Sequence, residues 1–159
     1  MSTPDTAAGD AATAGWQARL ALAFERDAPR TVLARREHHG PLRVQKALYP
    51  EGPDVCQVVI VHPPGGIAGG DTLDVAIDAG PDTRVQVTTP GAAKWYRSGG
   101  RAAVATTRIR GGPGSCVEWL PQESMQLDND LGVRAWRLGT GRRCGSKRQS
   151  VDPLPGSGC

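Results

Sequence analysis

From Trp16 onward the chain alternates. Trp16, Ala18, Leu20, Leu22 and Phe24 take every second position, while Gln17, Arg19 and Glu25 take the others. A period of two marks a half-buried strand, because successive side chains point to opposite faces. The competing reading is a helix with Trp16, Leu20 and Phe24 on one stripe. The turn signal Asp27–Ala28–Pro29 follows at once and favours the strand. Thr31–Glu37 is the expected partner across that turn. Val55–His62 is almost continuously apolar, which predicts a strand buried on both faces. Thr72–Asp78 alternates again, with Leu73, Val75 and Ile77 inward. A turn at Ala79–Asp82 leads to Thr83–Thr89, with Val85 and Val87 inward. Ala102–Arg110 and Ser115–Leu120 follow, separated by Gly111–Gly112–Pro113–Gly114. Short strands at about ten-residue spacing, with Gly/Pro turns between them, predict an all-β, helix-poor domain of stacked or packed sheets.

The two ends break this pattern. Residues 1–14 are small and polar without periodicity and are expected to be disordered. They offer neither a basic n-region nor an apolar h-region. No apolar run reaches the roughly 18 residues a membrane span needs. The expectation is a soluble, cytoplasmic protein with no membrane partner. After residue 130 the sequence turns rich in Arg, Gly and Ser and loses its period. Residues 15–130 are thus read as the domain, and 131–159 as a basic, irregular tail. Two readings of that tail stand: a functional basic extension, or codons read in a shifted frame.

Composition sharpens this picture. The chain has 159 residues, with 21 glycines and 13 prolines but an aromatic content of only 4%. That is one turn-rich domain with few large core side chains. The net charge of +3 is unevenly spread. Residues 1–130 carry 13 basic and 15 acidic side chains, and the tail carries 6 and 1. Nucleic-acid binding would rest on the tail alone, and the net acidic body disfavours it. Cys56, Cys116, Cys144 and Cys159 form no CxxC pair, and two of them lie in the tail. The body then holds two cysteines, which suits a reducing compartment.

The most informative segment is His62-Pro63-Pro64-Gly65-Gly66-Ile67-Ala68-Gly69-Gly70-Asp71, between two expected strands. Its glycines demand unusual backbone angles or close backbone approach. Gly65 and Gly70 have the spacing of a phosphate-binding loop, with Thr72 at the hydroxyl position. However, Asp71 stands where such a loop carries lysine, and a strand follows in place of a helix. The plain reading is a tight buried turn whose Asp71 accepts backbone N–H bonds. A small-molecule or nucleotide-binding protein using the Gly65–Gly70 loop is the alternative. No catalytic residues are assigned: there is no GxSxG, and His38, His39 and His62 have no serine or cysteine at a familiar spacing. His38 and His39 point to opposite faces of a strand and cannot chelate together. No closed four-ligand metal site is written in the sequence. A second segment, Thr88-Thr89-Pro90 with Lys94-Trp95-Tyr96-Arg97, could stack on bases or serve as a protein-docking patch. Trp95, Tyr96 and Arg97 are its candidate contact residues.

These motifs resemble the UreD (UreH) family of urease accessory proteins. The likeness begins at Gly40-Pro41-Leu42-Arg43-Val44-Gln45-Lys46 with Tyr49-Pro50-Glu51-Gly52. It continues through His62–Gly66 with Gly69-Gly70-Asp71, then Thr88-Thr89-Pro90 with Lys94 and Tyr96-Arg97. Its last segment is Trp119-Leu120-Pro121-Gln122-Glu123. The resemblance spans about residues 15–128 and implies a β-helix-type architecture of stacked sheets. It implies no enzymatic activity and no tightly bound cofactor. It implies a complex with UreF, the GTPase UreG and apo-urease, with nickel in transit. Asp71, Glu123 and His62 are the candidate side chains for that transit, since oxygen ligands can pass Ni²⁺ without retaining it as thiolates would. For each singly, a turn-stabilising role is the competing reading. Family members continue with further β-rich sequence where this likeness ends. The resemblance therefore implies a fold incomplete at its C-terminus, with a non-functional truncated product as the alternative outcome.

Overall fold

The computed structural model describes residues 15–96, 101–126 and 133–138. Among them every helix-or-strand element is a strand. β1 (Gln17–Asp27) and β2 (Arg30–His39) form an antiparallel hairpin, and β3 (Arg43–Val44) follows. The chain then winds in coils. The first coil is β4 (Val55–Val61), β5 (Gly66–Ile67) and β6 (Thr72–Ala79). The second is β7 (Arg84–Thr88), β8 (Ala93–Trp95) and β9 (Val104–Gly111). The third is β10 (Cys116–Leu120), β11 (Ser124–Gln126) and β12 (Val133–Leu138).

Each coil gives one strand to each of three sheets. The rows β4–β7–β10, β5–β8–β11 and β6–β9–β12 are all parallel. Parallel neighbours need a long crossover, and here the crossover is the rest of the coil. At the N-terminal end, β1 runs parallel to β6 with β2 outside it, and β3 lies antiparallel to β4. The all-β, stacked-sheet expectation therefore holds, and the β-helix-type architecture is this three-sided coil.

Parallel register stacks like positions. Val58 lies beside Val87, and Val87 beside Trp119; Ile77 lies beside Ile109. The inward residues Leu20, Leu22, Phe24, Val58, Ile77, Val85 and Val87 form one buried core with their neighbours. Each such side chain contributes about 1.5–3 kcal/mol on burial. Two expectations need correction. Val55–His62 was expected to be buried on both faces, yet only Cys56, Val58 and Ile60 are buried, and Val55, Gln57, Val59 and Val61 are half-buried. A coil has a single interior, so only one face of β4 enters it. The alternation also placed Trp16 inward, but it precedes β1, beyond the covered core, and is 57% exposed.

The corners between coils repeat one device. Gly80-Pro81-Asp82-Thr83 joins the first coil to the second, and Gly112-Pro113-Gly114-Ser115 joins the second to the third. The Thr83 hydroxyl donates to the Gly80 carbonyl at 2.8 Å, and the Ser115 hydroxyl to the Gly112 carbonyl at 2.7 Å. The Asp82 N–H donates to the Pro113 carbonyl at 2.9 Å, which stacks one corner on the next. Thr31, fully buried, ties the hairpin to the coils: its hydroxyl donates to the Asp54 carbonyl at 2.7 Å and accepts from the Arg84 N–H at 3.1 Å. Asp54 also pairs with Arg26 and Arg84, but such exposed pairs add little.

Within the tail, Val133–Leu138 pairs with β9 as the last strand of the third coil. Residues 1–14 and 139–159, on which the expectations of disorder and of an irregular basic tail mainly fall, lie outside the described residues. No helix among the described residues is long and apolar enough to cross a membrane.

Candidate functional site

The glycine-rich segment carries the chain from β4 through β5 into β6. Gly65 has φ +73° and Gly70 φ +92°, conformations that side-chain-bearing residues rarely adopt. Gly15 packs against this loop so closely that a Cβ on it would stand 2.1 Å from the Gly70 carbonyl carbon. Asp71 is buried at the centre. Its Oδ1 accepts the Trp16 N–H at 2.7 Å, and its Oδ2 accepts the Ala68 N–H at 2.8 Å. It thereby latches the entry of β1 to the loop, as the plain reading of the segment anticipated. The N–H groups of Gly65, Ala68, Gly70 and Asp71 are all donated within the protein, to His62, Asp71, Ala102 and Ala68 respectively. A phosphate cradle needs such donors turned outward, so this loop is built as a latch.

Beside the latch lies a partly open cavity of about 310 Å³. Strands of all three sheets bound it, and its lining also takes in the exposed residues Gly91, Lys94 and Gln122, so it opens to solvent on one side. Ile60 and Trp119 come from one sheet, Ile67 and Trp95 from the second, Leu73, Val75 and Ala105 from the third. His62, just after β4, contributes its imidazole. Its Nε2 is buried and has no hydrogen-bond partner among the described residues. Burial pushes the His62 pKa below its ordinary value, while the Asp71 carboxylate pulls the other way. The imidazole is therefore neutral at pH 7.

That shift has a consequence for stability. Unfolded His62 takes up a proton near its ordinary pKa, whereas the folded form resists it. Its contribution is complete above about pH 6.5 and is lost as the pH falls below it. His62→Phe should remove this part of the acid destabilisation. Urea titrations at about pH 7.5 and 5.5 should show a smaller stability loss in the variant than in the wild type.

The three candidates for nickel transit are not brought to one centre. Asp71 and His62 are neighbours that interact electrostatically. Glu123 is exposed, and its backbone carbonyl holds the Ala93 N–H at 2.9 Å. Among the described residues no three His, Cys, Asp or Glu side chains gather as a metal site. The docking candidates also divide. Trp95 is buried and lines the cavity, which removes it from any surface patch. Tyr96 is 50% exposed, and its ring covers Gly66, where a Cβ would stand 1.9 Å from it. Arg97 lies outside the described residues. Burial raises the pKa of the Cys56 thiol, which keeps it protonated and unsuited to nucleophilic work.

Residues 17–129, which supply β1 through β11, match the family model described as UreD urease accessory protein. The chain belongs to the UreD family. It is 54% identical over 128 residues to the urease accessory protein UreD of Azoarcus sp. (strain BH72), covering 80% of this chain and 45% of that protein. It is 57% identical over 114 residues to UreD of Ralstonia nicotianae, covering 72% and 39%. With the UreD 2 protein of Pseudomonas syringae pv. syringae the identity is 48% over 135 residues, covering 83% and 48%. The chain thus spans less than half the length of these curated UreD relatives. The cavity was not anticipated as a cavity, although the candidates His62 and Trp95 both line it. Its signal is a set of small residues, Ala93, Ala105 and Thr107, at lining positions of the second coil.

Proposed function

We propose that this chain serves urease maturation as a non-catalytic scaffold. In this reading it works with UreF and the GTPase UreG on apo-urease, and nickel is cargo delivered to the metallocentre of urease. The observation that carries the reading is the match to the urease accessory family from β1 through β11, at about half identity to its relatives. The site geometry is consistent with it. The interior is largely hydrocarbon, the Asp71 carboxylate is committed to backbone N–H groups, and Cys56 is an inert core thiol. The chain's share is then the platform. His62 and Glu123 are the two candidates left able to touch nickel in passage, one at a time and weakly.

The test is co-expression with apo-urease, UreF and UreG in cells lacking their own UreD-type protein. The chain should be retained on tagged UreF, and purified urease should gain nickel and activity. Failure to bind UreF, under conditions that retain the Azoarcus relative, would contradict the proposal.

A further inference from the structure

We propose that this partly open cavity between the three sheets is a binding site for a compact, uncharged, largely apolar molecule carrying a hydroxyl group. The proposal is independent of the urease-maturation reading and rests on the cavity itself. A volume of about 310 Å³ is at the lower end of the range of small-molecule sites, which are mostly apolar with few polar groups. It is about twice the size of an engineered apolar cavity that stays dry and takes benzene. Leu42, Ile60, Ile67, Val75, Ala105 and Trp119 make its wall hydrocarbon on several sides.

His62 supplies the cavity with an unpaired polar atom. His62 Nε2 is buried without a hydrogen-bond partner among the described residues, on a side chain that lines this cavity. A buried group of this kind calls for a partner, since leaving it unpaired is costly. Thr89, also in the wall, has its hydroxyl committed to the Gly91 carbonyl at 3.3 Å and the Gln122 N–H at 3.0 Å. A ligand hydroxyl suits either tautomer of the imidazole, because it both donates and accepts. An anionic ligand does not suit the site. The one lysine in the wall, Lys94, is exposed, so its ammonium is screened by water, and a carboxylate against the hydrocarbon wall would go unpaired. Two fused aromatic rings with one hydroxyl suit the largely apolar lining and the unpaired His62 Nε2.

The experiment uses the full chain and three probes of one shape: 2-naphthol, naphthalene and 2-naphthoate, followed by fluorescence titration. The expected result is saturable one-to-one binding of 2-naphthol, with naphthalene and 2-naphthoate each weaker by roughly tenfold or more. His62→Phe should abolish the preference for 2-naphthol over naphthalene while keeping naphthalene binding. Ala105→Leu should fill the cavity and remove binding of both, with an unchanged or higher melting temperature. Should that variant fail to fold, the loss of preference in His62→Phe still decides the matter. Absence of saturable 2-naphthol binding would overturn the proposal. So would binding unaffected by a folded Ala105→Leu chain, which would place the probe elsewhere. Tighter binding of 2-naphthoate, lost in Lys94→Met, would also overturn it by showing that the cavity reads an anion.

Discussion

Phe24→Ala should destabilise the protein by about 3–5 kcal/mol, the range for emptying a large aromatic from a packed core. Phe24 is the only phenylalanine in the chain and is 1% exposed. It ends the inward row Ala18, Leu20, Leu22, Phe24 on β1, the strand that closes the N-terminal side of the β6–β9–β12 sheet. Its carbonyl accepts the Gly80 N–H at 2.8 Å, so the same residue anchors the first corner of the coils. Truncation leaves a cavity beneath that corner, and the surrounding strands are too constrained by register to collapse into it. Against a typical domain stability of about 5–15 kcal/mol, such a loss is large. Guanidinium titration followed by tryptophan fluorescence measures it. Ala23→Ser, on the opposite face of the same strand, is the control and should stay within about 0.5 kcal/mol of wild type.

Asp71→Ala should cost about 1–3 kcal/mol, because the buried carboxylate is the shared acceptor of two part-buried N–H groups, of Trp16 and Ala68, and water can reach these donors in part. Asp71→Asn should fall between alanine and wild type. It keeps one carbonyl acceptor but turns an NH₂ group toward the second N–H. The same variants separate structure from nickel handling. At a temperature where Asp71→Ala is fully folded, its support of urease activation in the co-expression assay should equal that of the wild type. A folded variant that binds UreF but leaves urease without nickel would assign the carboxylate to the nickel route instead.

Much of the fold was legible in the sequence, because its strands obey simple alternation. Leu73, Val75 and Ile77 announced β6, and Val85 and Val87 announced β7; both rows point inward as expected. The short strands β3, β5, β8 and β11 left no such mark, since two or three residues cannot display a period. They form because longer neighbours place them in register. The coil itself was written more faintly. Gly80-Pro81-Asp82-Thr83 recurs 32 residues later as Gly112-Pro113-Gly114-Ser115, one full coil apart, with the hydroxyl in the same place. A search for self-similarity at that period would have exposed the repeat.

The site was legible in part. Asp71 as a buried acceptor followed from its place after four glycines. The burial of Trp95 did not follow from its neighbours Lys94 and Tyr96. On a strand adjacent residues face opposite sides, so Lys94 can be exposed while Trp95 is buried, and Tyr96 lies just past the end of β8. The cavity left only a faint mark in the sequence, the small residues Ala93, Ala105 and Thr107 of the second coil. It arises where residues remote in the chain, Leu42, Ile60 and Trp119 among them, meet across three sheets.

Cross-strand nuclear Overhauser contacts in the labelled chain test the stacked coil most directly. The account predicts interstrand contacts, in the slanted pattern of parallel pairing, from the backbone of Val58 to that of Val87 and from Val87 to Trp119. Antiparallel contacts between these segments, or amides there that exchange as freely as those of an open chain, would contradict it.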